Sequence, residues 1–320
     1  MRILICGGSG FIGRHLVHAV LSAGHEAVVR SRHSQPALDF VSATAPADWL
    51  EHLQGVDAVI NAVGVLRDSR ARPLEVMHTS APMALFDACA QAGVRRVVQI
   101  SALGIDGNPT RYASSKRAAD AHLLALTQAG QLDGTVIRPS VVFGKGGASS
   151  EMFMGLARLP ALLLPAPVRR ARVQPVAVRD LAEAVVRITC NSVNFSPALP
   201  RLVELGGPEP LPLAQLIASL RAQMKHRPAL VASLPALITQ LSARAGDLVP
   251  VSPWCSETLA LLATDNVTDP TTLTRILGRC GVAPAQLLQS TLDTTESVTN
   301  SVIDNSTDAP ASAASQTGGL

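Results

Sequence analysis

Apolar residues along this chain fall into short runs that alternate with longer amphipathic stretches. Residues 2–6 (RILIC) form a five-residue apolar run, which suits a buried strand and is too short for a helix. Glycines follow. Apolar positions then recur at helical spacing over 11–23, with Gly24 as the stop. The runs at 26–30, 57–61, 95–101 and 134–140 predict further strands, and 39–43 fits one more. Between them, 74–92 predicts a helix kinked or restarted at Pro82, and 111–129 a helix ended by Gly130. Apolar strands alternating with helices imply a parallel sheet covered on both faces, a doubly wound α/β architecture.

After Gly146 the alternation loosens. The pattern predicts a helix over 150–158, a short strand over 173–178, a helix over 180–190 with Asp180 as its N-cap, and a strand over 202–205. Beyond Pro212, short helical pieces separated by prolines prevail. The expected division is a large α/β domain over 1–146 and a smaller, mostly helical substrate-side domain over 147–290, with segments returning to the main sheet. Residues 291–320 are rich in Ser, Thr, Asn, Asp and Ala without periodicity, and are expected to be a disordered tail.

Composition narrows the function classes. Of 320 residues, 47% are hydrophobic and 16% charged, as in a folded protein. A net charge of +3 is too small to imply phosphate-backbone binding, and 3% aromatic content leaves little for base stacking, so nucleic acid is not an expected partner. Asp293, Glu296, Asp304 and Asp308 make the tail acidic and leave the rest basic. That suits an anionic small molecule or an acidic membrane surface. Cys6, Cys89, Cys190, Cys255 and Cys280 lie far apart without paired histidines. No metal site and no disulfide framework are expected, and a cytoplasmic compartment fits. The start of the chain does not read as a signal peptide. No apolar run reaches the ~18–20 residues that span a bilayer. LPALLLPAP (159–167), flanked by Arg158, Arg169, Arg170 and Arg172, reads either as packing on the second domain or as contact with a membrane or an apolar substrate.

The first glycine loop carries the clearest chemistry. GGSGFIG (7–13) lies between the first strand and the first helix, and satisfies both G-x-G-x-x-G from Gly8 and G-x-x-G-x-x-G from Gly7. Gly7 and Gly8 permit the tight turn, Gly10 lets backbone approach a pyrophosphate, and Gly13 permits close packing. At the end of the second strand, a site for NAD usually carries an acidic residue. Here Arg30 and Arg32 stand there, with no carboxylate before Asp39. Two guanidiniums match a 2′-phosphate, so NADP(H) is expected over NAD(H).

The chain has a single tyrosine and only three lysines: Lys116, Lys145 and Lys225. Tyr112 stands four residues before Lys116, on one helical face. An ammonium beside a phenol favours phenolate and lowers its pKa. The same lysine can hold ribose hydroxyls, and Ser101, ending a strand, can hydrogen-bond a substrate carbonyl. Together they suit hydride transfer from reduced cofactor, with Tyr112 giving the proton.

The glycine loop, Asn61-Ala-Val-Gly64, Ser101 and Tyr112-x-x-x-Lys116 resemble the short-chain dehydrogenase/reductase superfamily with its Rossmann fold. The stretches GVDAVINAVGVLRD, VRRVVQISALG, IRPSVVFGKGG and QPVAVRDLAEAV are similar to its atypical branch, which contains the NADPH-binding accessory subunit of respiratory complex I and bacterial homologues. The resemblance covers about 1–290, including LALLATDN (259–266). It implies that Gly7, Ser9, Gly10, Phe11, Ile12 and Gly13 line the pyrophosphate and that Arg30 and Arg32 meet the 2′-phosphate. It also implies that Ala62, Val63 and Gly64 touch adenosine and ribose. Ser101, Tyr112 and Lys116 take the catalytic positions, and Pro139, Ser140 and Val141 the nicotinamide wall. Ala43-Thr44 stand where many relatives carry an adenine-contacting Asp, so no such contact is carried over. The step from Ser101 to Tyr112 is shorter than in the sugar-nucleotide epimerases of the superfamily, which argues against a sugar-nucleotide site. The expected function is an NADP(H)-dependent oxidoreductase acting on a carbonyl or alcohol of an apolar small molecule. The alternative is a non-catalytic NADPH-binding accessory or assembly protein. It would have a peripheral contact at the inner membrane or a protein complex, linked to the respiratory complex or to ubiquinone biosynthesis.

Overall fold

A computed structural model describes residues 1–291 except 33, 35, 192–194, 196–197, 235, 248–255, 257–258 and 261–263. Most of the expected tail lies outside the described residues, as do Cys255 and part of 259–266.

Six parallel strands form the central sheet: β1 (Arg2–Cys6), β2 (Glu26–Arg30), β3 (Ala58–Asn61), β4 (Arg96–Ile100), β5 (Asp133–Pro139) and, from far along the chain, β10 (Leu202–Leu205). Their spatial order is β2-β1-β3-β4-β5-β10, all parallel. Alternate residues of each strand point to opposite faces. Leu4, Val28, Val59, Val97 and Val136 face α3 (Ala81–Ala92), α4 (Arg111–Gln128) and Trp49 of α2 (Ala47–Leu50). Ile3, Ile5, Ile60, Val98 and Ile137 face α1 (Phe11–Ser22), α7 (Val178–Asn191) and α10 (Pro270–Leu277). This is the doubly wound architecture that the strand pattern implies.

The strand order reverses between β1 and β3. In such sheets, ligands bind outside the carboxyl ends of the strands at that point.

A third cluster, with Phe143, Phe153, Leu162, Leu164, Leu216 and Leu220, makes up the smaller unit. It is built from β6 (Val142–Phe143), α5 (Ala148–Arg158), β7 (Ala161–Pro165), α6 (Ala166–Arg170), β8 (Arg172–Val173), β9 (Val176–Ala177), β11 (Leu211–Pro212), α8 (Leu213–Gln223), β12 (Leu230–Leu234) and α9 (Ala236–Asp247).

Four elements differ from expectation. Residues 39–43 are not a strand. Asp39 closes a turn, its carbonyl accepting from Ser42 and Ala43, and the Trp49 indole donates to Ala43 O at 3.0 Å. The 74–92 segment does restart at Pro82, as expected: α3 starts with Pro82 in its first turn, after a π-helix over Val76–Ser80. Asp180 is not an N-cap, because α7 begins two residues earlier; its carboxylate accepts from Val282 N and Arg279 instead. Residues 159–167 contain a strand, β7, paired in parallel with β12. β12 itself falls where only helical pieces were expected.

Candidate active site

The Gly7–Gly13 loop and the Ala62–Gly64 loop meet at the β1/β3 reversal. Gly7 has φ +78°, and a Cβ there would lie 3.1 Å from the Ala62 carbonyl group. A Cβ on Gly13 would sit 2.0 Å from Gly7 O, so helix α1 can start this close to the loop only without one. Gly10 is exposed and has no side chain over the first amides of α1, which have no side-chain cap. Ser9 is exposed beside it, and Phe11 and Ile12 are half-buried. This arrangement offers backbone donors to an anion.

Arg30 ends β2 in register with Cys6, and Arg32 is exposed just beyond. Arg30 Nε is buried and has no hydrogen-bond partner among the described residues. A buried N–H without an acceptor is costly, and a phosphate oxygen would supply one. The residues present therefore fit a nicotinamide dinucleotide.

Asn61 shapes the second loop: its Oδ1 accepts from Val63 N at 3.2 Å while its Nδ2 donates to Gln99 at 2.8 Å. Ala62 is half-buried, Val63 is buried and Gly64 is exposed. A Cβ on Gly64 would lie 3.3 Å from Lys116 Nζ.

α4 begins at a Thr110 cap, whose Oγ1 accepts from Ala113 N, and aligns Tyr112, Lys116 and Asp120 at successive turns. Lys116 is buried and donates to Val63 O at 3.3 Å and Ile100 O at 3.2 Å. It thus ties the loop after β3 to the end of β4. Burial pulls it down to about 8, against the opposing influence of the Asp120 carboxylate. Tyr112 is half-buried. Burial pushes its phenol up to about 12, and the Asp120 charge adds to the rise. The expected lowering by Lys116 is therefore not what this packing produces.

Ser101 follows β4 directly and donates its hydroxyl proton to Asp120 Oδ2 at 2.8 Å. Toward a substrate it presents lone pairs rather than the expected donor. Asp120 Oδ2 also accepts from Arg138 Nε at 3.0 Å, and Arg138 reaches Asp106 at 2.6 Å. Asp120 Oδ1 is buried without a partner among the described residues. Burial raises the Asp120 pKa, while Ser101 and Arg138 pull it back.

Pro139 and Ser140 are buried and Val141 is half-buried. The Ser140 hydroxyl donates to Asn266 and accepts from Gln174 N at 3.3 Å, so it faces the C-terminal segment.

Two residues of this site, Asp120 and His78, stand outside the motifs of the sequence. Asp120 was readable as the third member of the Tyr112–Lys116 stripe. His78 lies in the π-helix before α3. It is fully buried, its Nε2 accepting from Val65 N at 3.0 Å and its Nδ1 lying 3.1 Å from Ser115 Oγ, which in turn donates to Tyr112 O. Its ring meets Tyr112 edge-on at 5.3 Å. Burial, helped by the Lys116 charge, pulls it down to about 2, so it is a neutral imidazole. Among the described residues no group of His, Cys, Asp and Glu could hold a metal ion, and no helix is long and apolar enough to cross a membrane.

The sequence profile of the NAD dependent epimerase/dehydratase family matches residues 3–206. The UDP-glucose 4-epimerase of Vibrio cholerae is 26% identical over 220 residues, covering 59% of this chain and 66% of that enzyme. The rat protein named NADH dehydrogenase (ubiquinone) 1 alpha subcomplex subunit 9, mitochondrial, is 23% identical over 268 residues, covering 79% of this chain and 69% of that protein. Among solved structures, the Thermus thermophilus UDP-glucose 4-epimerase complex with NAD superposes with a TM-score of 0.65 at 19% identity, over 92% of this chain and 98% of that one.

Proposed function

The chain belongs to the NAD dependent epimerase/dehydratase family, and from that membership we propose that it is an NADP(H)-dependent oxidoreductase of the atypical short-chain type. It acts on a carbonyl or alcohol of an apolar small molecule. The observation that carries this reading is the Tyr112–Lys116 pair on α4, with Lys116 reaching the loop after β3 and the end of β4. When bound, a reduced nicotinamide supplies the hydride. Lys116 is placed to hold ribose hydroxyls. Tyr112, kept neutral by burial, gives its proton to the oxygen that becomes the alkoxide, which is the stronger base. Ser101, whose own proton stays with Asp120, offers that oxygen only lone pairs and can accept from it once it carries the proton from Tyr112. The unpartnered Arg30 Nε supports a 2′-phosphate and hence NADP(H).

Tyr112→Phe tests the chemistry. In a screen of ketone, quinone and prenyl carbonyl substrates, NADPH oxidation falls about 10²–10⁴-fold while NADPH binding is unchanged. Arg30→Ala tests the cofactor: NADPH binding weakens about tenfold or more, and NADH binding does not. Tighter binding of NADH by the unaltered protein would sink the preference.

A second reading, a non-catalytic NADPH-binding accessory protein, draws on Ser101, whose donor is committed to Asp120, and on the likeness to the rat subunit. Turnover unaffected by Tyr112→Phe, or absent with every substrate class, favours it.

A further inference from the structure

The carboxylates of this chain avoid one region. None lies between Glu151 and Asp180, and none between Glu209 and Asp247. The first stretch carries five arginines, and the second three arginines and a lysine. The two stretches are also packing partners: β7 pairs with β12, α5 and α6 pack on α8, and α6 packs on both strands. Apart from Glu151 in the first turn of α5 and Asp247 at the end of α9, the two stretches are therefore cationic without interspersed acid, unlike an ordinary water-facing surface. Arg221 is buried inside it, donating to the carbonyls of Ala157, Leu159 and Arg227. Arg158, Arg169, Arg170, Lys225, Arg227 and Arg244 have no ion-pair partner among the described residues.

Aliphatic side chains stand on the same unit. The register Leu230↔Ala161 and Ala232↔Leu163 puts Leu163 and Leu230 on one face of the β7/β12 ribbon. They are 65% and 79% exposed, while Leu162 and Leu164 on the other face are buried. Leu159, two residues before the ribbon, is exposed as well. α9, which follows β12, exposes Ile238 and Leu241 one turn apart. Exposed aliphatics clustered in this way mark an interaction surface.

Charge selects the partner. A second copy of the chain would bring like charges together across a two-fold interface. No aromatic side chain stands in the ribbon or α9 to stack on bases. We propose that the β7/β12 ribbon and α9 form a peripheral docking face for a bilayer containing anionic phospholipid. The leucines enter the acyl boundary and the arginines meet lipid phosphates. The face is tied to the dinucleotide crevice, because Arg67, just beyond the Gly64 loop, donates to Gly246 O at the end of α9 at 3.3 Å. An apolar substrate dissolved in the bilayer would then meet the site without crossing water. That consequence rests on the reductase reading; the docking does not.

Co-sedimentation of the full chain with phosphatidylcholine vesicles, with and without phosphatidylglycerol, tests the proposal. The chain pellets with the anionic vesicles only, and high salt lowers the bound fraction. The double variant Leu163→Glu/Leu230→Glu stays in the supernatant. Arg169→Glu/Arg170→Glu lowers partitioning by about tenfold or more. Circular dichroism melts matching the unaltered protein certify that each variant is folded; Leu163→Ser replaces the glutamate pair if that one unfolds. The proposal is overturned if the protein stays in the supernatant with anionic vesicles, binds neutral vesicles as well, or binds equally after these substitutions. A dimer formed without vesicles and lost in the leucine variants overturns it in favour of self-association.

Discussion

The carboxyl edge of the sheet is built in two ways. Above β1 and β3 it is made of backbone: Gly7, Gly10 and Gly13 bring loop and helix together where side chains would collide, and Gly64 leaves room beside Lys116. Above β4 and β5 it is made of charge: Lys116, Asp120 and Arg138 are all buried, Asp120 is bonded to Ser101 and Arg138, and Lys116 acts on Asp120 through charge alone. The first half gains close approach to an anion by omitting atoms. The second half keeps ionised groups out of water, where their mutual influence on protonation is large. Each half therefore fails differently when altered.

The largest effect is expected where buried charge loses its partner. Arg138→Leu leaves Asp120 without its guanidinium, and breaking such a buried pair costs about 3–5 kcal/mol. Urea unfolding measures it, and Asp120→Asn combined with Arg138→Leu should recover much of the loss. A full loss in the double variant would show that packing, not charge, holds this half.

Gly13→Ala comes next. Its methyl group would sit 2.0 Å from Gly7 O, and overpacking of this kind costs about 1–3 kcal/mol. The sharper readout is dinucleotide binding, which should be lost even where the fold survives. Retained binding would erase the contrast between the halves.

The smallest effect is a slope. The Lys116 pKa is lowered from 10.5 to about 8. Between those values the unfolded chain binds the proton and the folded chain does not, so stability rises with pH across about 8 to 10.5. Below about 8 the cost of burying the ammonium is fully present. The unaltered protein should gain on the order of 2 kcal/mol over that window relative to Lys116→Met, followed by chemical denaturation at each pH. Parallel curves for the two proteins would mean that Lys116 is not the titrating group.

The glycine loop and the Tyr112–Lys116 pair were legible because each is local: a strand–loop–helix junction in one case, a single helical turn in the other. Five of the six sheet strands were legible as short apolar runs, and β10 as LVEL. What was not legible depends on partners far along the chain. Arg138 takes its role from Asp120 and Asp106, 18 and 32 residues away in sequence. His78 is defined by Val65 and Ser115, neither of them close in sequence. β7 becomes a strand through β12, some seventy residues later. The 39–43 run has strand composition, but Trp49 and the Asp39 turn give it other bonds to make. Whether the chain divides at 146/147 is a proposal that proteolysis of the folded protein can address; that position falls at the start of α5.

The sixth strand has a consequence for synthesis. β5 ends at Pro139, and β10, which covers its open edge, begins only at Leu202. At typical translation speeds the ribosome takes several seconds to make the chain between them. Throughout that interval the nascent sheet can be five-stranded, with the buried-type edge of β5 available to other chains. Cotranslational chaperones therefore have a defined moment to act on this protein, and a stall between these two strands would expose an aggregation-prone edge.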